Sequence, residues 1–171
     1  YLTKFEYPLM LLQTIDSIEY AVYSLMKRQS EQNLLYSEIR FAPQLHTKKG
    51  LSQEEVVTAS LKGRQKYFDE LRQKENIKEG DIPSFYSNII LCCMRGNGNE
   101  RENEETIRIA TEFLSDSDGV VAVDLAGAEA LFPTSDYEKL FAHARAEGIP
   151  FTIHAGEAAG PESIRQAVDY G

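Results

Sequence analysis

An α/β fold built on a parallel sheet is the class this sequence predicts, and three observations predict it. Short apolar or β-branched runs alternate with stretches of helical periodicity, strand then helix, four times over. The third run, Val120 to Leu125, is apolar nearly throughout, as expected when helices cover both faces of a sheet. Polar residues follow the strands: Arg40, Arg95, Asp124, Gly127, His154 and Glu157. In parallel α/β folds such positions converge on one rim, where the chemistry is kept. Right-handed crossovers leave two architectures, a doubly wound open sheet or part of a (β/α)8 barrel, with about four parallel strands.

Leu2, Phe5 and Leu9 recur at helical spacing, so a short apolar helix is expected, interrupted near Pro8. Asp16 is a candidate cap for a second helix with Ile18, Val22, Leu25 and Met26 on its buried face. Leu34 to Phe41 reads as the first strand and Pro43 ends it. Ser52 and Glu55 form a capping box for a long helix carrying Val56, Ala59, Leu61, Phe68 and Leu71. The charged stretch from Arg72 to Asp81 is a solvated helix end and loop. Phe85 to Met94 is the second strand, Gly96 to Arg101 a loop, and Ile107, Ala110, Phe113 and Leu114 mark the next helix. Val120 to Leu125 is the third strand. Ser135 and Glu138 suggest another capping box, for a helix reaching about Glu147. Gly148 and Pro150 lead into the fourth strand, Phe151 to His154, and Pro161 opens a last helix to Gly171.

Composition removes several function classes. The 171 residues carry a net charge of -9, with no basic stripe to displace counterions from a nucleic-acid backbone. No run approaches the ~18 apolar residues of a membrane span, and no signal peptide is visible. Cys92 and Cys93 are adjacent and cannot build a disulfide framework, which points to a reducing, cytoplasmic compartment. The chain opens on Tyr1 rather than methionine, as a piece of a longer protein would.

Two stretches carry candidate chemistry. In Phe151-Thr152-Ile153-His154-Ala155-Gly156-Glu157 a strand ends on a histidine, and a carboxylate follows three residues later. A neutral imidazole there could bind zinc, which lowers the pKa of its water to about 7, and a neighbouring carboxylate could move protons. A hydrogen-bonded structural histidine is the alternative. His46, in a lysine-rich loop, is expected to be solvated, and His143 to lie exposed on a helix, so the residues at hand do not complete a zinc site. In Asp124-Leu125-Ala126-Gly127 the aspartate could serve recognition or simply cap its own loop, and the glycine would let a ligand approach the backbone. Gly96-Asn97-Gly98 lacks the third glycine of a dinucleotide fingerprint, since Arg101 stands in its place. Without a spacer, Cys92 and Cys93 do not make the paired-cysteine signature of cytidine-type deaminases and are read as packing residues.

Thr152-Ile153-His154-Ala155-Gly156-Glu157 resembles the signature of the adenosine deaminases, a branch of the zinc amidohydrolases. Tyr36 to Pro43, Ile90 to Arg95 and Val123 to Gly127 match further motifs in the right order, and Leu2 to Phe5 is similar to the apolar segment at the substrate entrance. The resemblance spans essentially the whole chain. One departure is Ala128-Glu129, where the family usually has an acidic or amide residue and then glutamate. The resemblance implies a partial (β/α)8 TIM barrel in which residues 1–171 form an incomplete deaminase domain containing strands two to five. It also implies one zinc ion and hydrolysis of adenosine or 2'-deoxyadenosine to inosine or 2'-deoxyinosine and ammonia. His154 would be a zinc ligand, Glu157 the proton donor to the purine ring, and Gly127 a backbone contact to the purine. Tyr1, Leu2 and Phe5 would belong to the apolar lid, and Asp124 would support a zinc ligand. The remaining ligands would come from a His-x-His pair before Tyr1 and from a histidine and an Asp-Asp pair after Gly171. The chain alone is therefore expected to be inactive, to bind zinc weakly or not at all, and to self-associate through open sheet edges. Its partner is a small purine nucleoside, not a nucleic acid or a membrane. A deaminase of adenine or of an adenosine nucleotide, or a non-catalytic half-barrel module, are the alternatives.

Overall fold

Three strands hydrogen-bond in the order β1 (Tyr36–Phe41), β2 (Tyr86–Met94) and β3 (Val120–Ala126), all parallel, with helices between them. This computed structural model describes every residue except Tyr1, Glu79 and Ser117, and Leu2 without its side chain. The chain divides into two units, residues 1–39 with 45–89 and residues 40–44 with 90–171.

In the first unit a 3-10 turn over Leu2–Phe5 leads into α1 (Glu6–Leu11). Pro8 does not interrupt it. As the third residue of the helix it sits where a backbone N–H has no intrahelical acceptor to lose. α2 (Ile15–Glu31) is capped by Thr14 rather than by Asp16: Ser17 N donates to Thr14 Oγ1 (3.3 Å), and Thr14 N to Ser17 Oγ (3.2 Å). Asp16 lies in the first turn, where its charge suits the positive end of the helix dipole. α3 (Gln53–Glu75) opens on the expected capping box, with Ser52 N donating to Glu55 Oε2 at 2.8 Å and Glu55 N to Ser52 Oγ at 3.2 Å. Ile18, Val22 and Met26 of α2 are buried, as are Val56, Ala59 and Phe68 of α3. Each of these side chains except the small Ala59 contributes roughly 1.5–3 kcal/mol by leaving water. The two helices approach so closely at Gly63 that an added Cβ would stand 2.3 Å from the Glu19 carbonyl oxygen. His46 corrects the expectation of a solvated ring. It is 6% exposed, and its Nδ1 lies 2.7 Å from the Leu12 carbonyl, which the charged neighbours Lys48 and Lys49 did not foretell.

In the second unit α4 (Glu100–Phe113) is pinned to the end of β2 by the buried Asn103. Its Oδ1 accepts from Met94 N at 2.8 Å, and its Nδ2 donates to Met94 O at 3.0 Å. The capping box expected at Ser135 and Glu138 does not form. Thr134–Tyr137 is a 3-10 turn, and α5 (Glu138–Ala146) follows it without a side-chain cap. α6 (Pro161–Tyr170) starts at Pro161 as expected. Phe141 of α5 packs between Phe151 (ring centroids 4.8 Å apart) and Tyr170 (6.2 Å).

The expected fourth strand is reduced to a single parallel bridge, Val123 to Phe151. Val123 N donates to Pro150 O and Thr152 N to Val123 O, both at 3.0 Å. Beyond that rung the Leu125 carbonyl serves both the backbone N–H of His154 (3.0 Å) and its ring Nδ1 (2.9 Å), so side chain and ladder share one acceptor. Gly156, at φ +82°, then turns the chain away. An added Cβ there would also stand 2.6 Å from Ile164 Cδ1.

Candidate active site

Asp124 is placed by β3, whose apolar residues bury it completely at the end of the sheet. A carboxylate out of water must be met by donors, and four side chains supply them. Its Oδ2 lies 2.9 Å from His154 Nδ1, 3.4 Å from Arg40 Nε and 3.6 Å from Cys92 Sγ, while its Oδ1 accepts from Thr152 Oγ1 at 2.8 Å. These donors come from β1, β2 and the segment after β3, so Asp124 joins the ends of successive elements at one point.

Both neighbours of His154 Nδ1, the Asp124 carboxylate and the Leu125 carbonyl, are acceptors only. Nδ1 must therefore carry the proton, and in the neutral ring the lone pair resides on Nε2. The ring is 31% exposed and lines an open recess of about 410 Å³, with Arg40, Asp124, Thr152, Ile153, Ala155, Gly156 and Glu157. Glu157 is exposed in the bend after Gly156. The expected group of Arg40, Asp124, His154 and Glu157 is thus brought together. A buried, hydrogen-bonded carboxylate behind an imidazole whose second nitrogen keeps its lone pair is the arrangement that orients a metal-ligating histidine. His154 fits one metal ligand; among the described residues no cluster of three or more His, Cys, Asp or Glu could hold the ion.

Other expected site residues are not among those that line the recess. Gly127 follows β3 with φ +122° but does not line the recess. Phe5 is 51% exposed on the first 3-10 turn, in the other unit. Tyr1 and the side chain of Leu2 fall outside the described residues. Arg95 is not on the rim. It is 5% exposed, and its guanidinium donates to Phe132 O (2.7 Å), Thr134 Oγ1 (3.0 Å) and His154 O (2.7 Å). Cys92 and Cys93 are buried, as packing residues should be, and burial followed by the Asp124 charge pushes both thiols well above the usual range.

Sequence reasoning missed Glu129. Its carboxylate is buried under the bend that carries Glu157, where Gly156 N donates at 2.7 Å, Ala158 N at 2.8 Å and Ser163 Oγ at 2.5 Å. Burial alone would raise its pKa. The donated hydrogen bonds from Ala158, Ser163 and Gly156 outweigh it and hold the carboxyl down at about 2. The available signal was Glu129 itself, a carboxylate just after a strand end and a glycine, but nothing local shows which amides it meets.

The sequence model of the adenosine deaminase family matches residues 1–170. An adenosine deaminase of Haemophilus ducreyi is 48% identical over 172 residues, covering 100% of this chain and 47% of that protein. An N6-mAMP deaminase of Arabidopsis superposes with a TM-score of 0.77 at 21% identity, over 99% of this chain and 48% of that one. An amidohydrolase from Burkholderia ambifaria with bound zinc superposes at 0.76 and 19% identity, over 92% and 40%. At those identities the structures show a shared fold, that of part of a (β/α)8 barrel. The chain spans about half the length of the curated relatives it matches.

Proposed function

We propose, since the chain belongs to the adenosine deaminase family, that it carries part of the active site of an enzyme converting adenosine or 2'-deoxyadenosine and water to inosine or 2'-deoxyinosine and ammonia. The observation that carries this reading is the His154 ring, held through Nδ1 by the buried Asp124 so that Nε2 keeps its lone pair, with Glu157 in the same recess.

His154 Nε2 would hold zinc together with ligands that are not among the described residues. Zinc, when bound, supplies a Lewis acid that makes water nucleophilic near neutral pH. Asp124 keeps the proton on Nδ1 and raises the basicity of Nε2. Glu157 delivers a proton to a ring nitrogen of the purine, drawing electron density from the amine-bearing carbon so that water adds there and ammonia leaves. Gly127 offers its backbone amide to the purine. Family resemblance would assign Tyr1, Leu2 and Phe5 to an apolar lid, whose role would be to exclude water and strengthen these interactions. Two buried thiols without a disulfide support a reducing, cytoplasmic setting. The Phe151–His154 segment bonds to β3, and its outer edge supports self-association of the 171-residue chain. Light scattering is expected to show a dimer or larger species, and a monomer at high concentration would contradict it.

The test is ammonia release by the zinc-loaded full-length protein from adenosine, 2'-deoxyadenosine, adenine and AMP. The two nucleosides are expected to be preferred, and the 171-residue chain alone to be inactive. Preference for adenine or AMP would move the reading to another branch of the same chemistry, and no release from any of them would overturn it.

A further inference from the structure

We propose that Glu129, coupled to Arg95 through Thr134 and Ser163, is a positioning residue that fixes the peptide carrying Glu157. Glu129 accepts from the amides of Gly156 and Ala158, the residues on either side of Glu157. Its Oε1 also accepts from Ser163 Oγ, and Ser163 Oγ stands 2.7 Å from Thr134 Oγ1. Thr134 Oγ1 accepts from Arg95 Nη2, and the same nitrogen donates to the carbonyl of His154 at 2.7 Å.

The network therefore grips the bend at both ends, the His154 carbonyl by a cation and the 156–158 amides by an anion, while the Glu157 side chain remains exposed beside the recess. Arg95, Glu129, Thr134 and Ser163 are all buried. Burying groups of this polarity costs stability unless partners are made, and here all but Arg95 Nε have them. Between Gly156 and the start of α6 at Pro161 the bend has no regular helix or strand hydrogen bonds, so these contacts are what hold its Gly156 and Ala158 amides. A carboxyl group displaced by about 1 Å can lose on the order of 100-fold in rate.

This inference rests on reading Glu157 as the proton donor, so its test has one arm that does not. In Glu129→Gln the side chain keeps its shape, but one of its two oxygens becomes an NH2 group facing an amide N–H. Amide hydrogen exchange on the 171-residue chain is expected to accelerate at Gly156 and Ala158, with β3 and α4 unchanged. In the full-length enzyme kcat is expected to fall about 10- to 100-fold, with KM changed by less than about 3-fold. Glu129→Asp, which keeps the charge and shortens the reach by one methylene, replaces it if the Gln variant does not fold, and is expected to show the same local loss of protection. Unchanged exchange in the bend, uniform acceleration through the unit, or an unchanged kcat in the folded fraction would each overturn the proposal. A wild-type enzyme that deaminates nothing overturns the functional reading instead, whatever the exchange arm shows.

Discussion

Asp124→Asn isolates what the buried carboxylate does for the histidine. The substitution keeps shape and volume, so no cavity forms. The asparagine carbonyl can still accept from His154 Nδ1, and its NH2 can face Thr152, whose hydroxyl rotates to accept. What is lost is charge. Hydrogen bonds to an ionised acceptor contribute ~1.5–3 kcal/mol against ~0.5–1.5 for neutral ones, so the bonds from His154 (2.9 Å) and Thr152 (2.8 Å) together lose about 2 kcal/mol. The Arg40 pair adds little, because that side chain is 45% exposed and screened by water. The lower desolvation cost of an amide offsets part of the loss. For a chain of this size the expected fall in Tm is about 4–8 °C, read by calorimetry. The Nδ1–H tautomer of His154, read from its ring 15N shifts in the 171-residue chain, is expected to persist, because the asparagine and Leu125 carbonyls are both acceptors. Zinc affinity of the full-length protein is expected to fall about 10- to 100-fold in a chelator competition. A variant with wild-type Tm and zinc affinity would refute the reasoning, because the Asp124 charge would then not be holding the ring.

Further outcomes follow from burial and charge. Gly63→Ala puts a methyl group 2.3 Å from a backbone carbonyl of α2, which neither helix can relieve without moving. It is expected to cost about 3 kcal/mol, measured by urea unfolding. The Glu129 carboxyl lies near 2 in the folded chain against an ordinary 4.5. A depressed folded value means stability that is complete above pH 4.5 and lost as pH falls from there towards 2. Acid unfolding of the wild type should steepen in that window, and Glu129→Gln should flatten it.

The strands and the histidine were legible because their signals are local. Period-two alternation ends on His154, and an almost unbroken apolar run surrounds Asp124, so the residue types state which ends are buried. The capping box at Ser52 and Glu55 was legible for the same reason: all its partners lie within four residues. Groups satisfied across long sequence distances were not legible. His46 reads as a loop residue among lysines, but the Leu12 carbonyl that buries it is 34 residues away. Glu129 finds its donors 27 and 29 residues on, and two of them are backbone N–H groups that leave no mark in the side-chain sequence. Arg95 stands at a strand end like Arg40, yet Phe132, Thr134 and His154 turn it inward. The fourth strand is short because Gly156, at φ +82°, turns the chain away just after His154 N donates to the Leu125 carbonyl.

The central proposal makes His154 a metal ligand and the neighbouring Glu157 a proton donor. The most direct measurement is zinc-dependent ammonia release from adenosine by the full-length protein, compared with His154→Ala and Glu157→Gln and with bound zinc counted in each. The account predicts that His154→Ala loses both metal and turnover, while Glu157→Gln keeps its zinc and loses turnover by at least about 100-fold. Full turnover in either variant, or full zinc occupancy without His154, would contradict it.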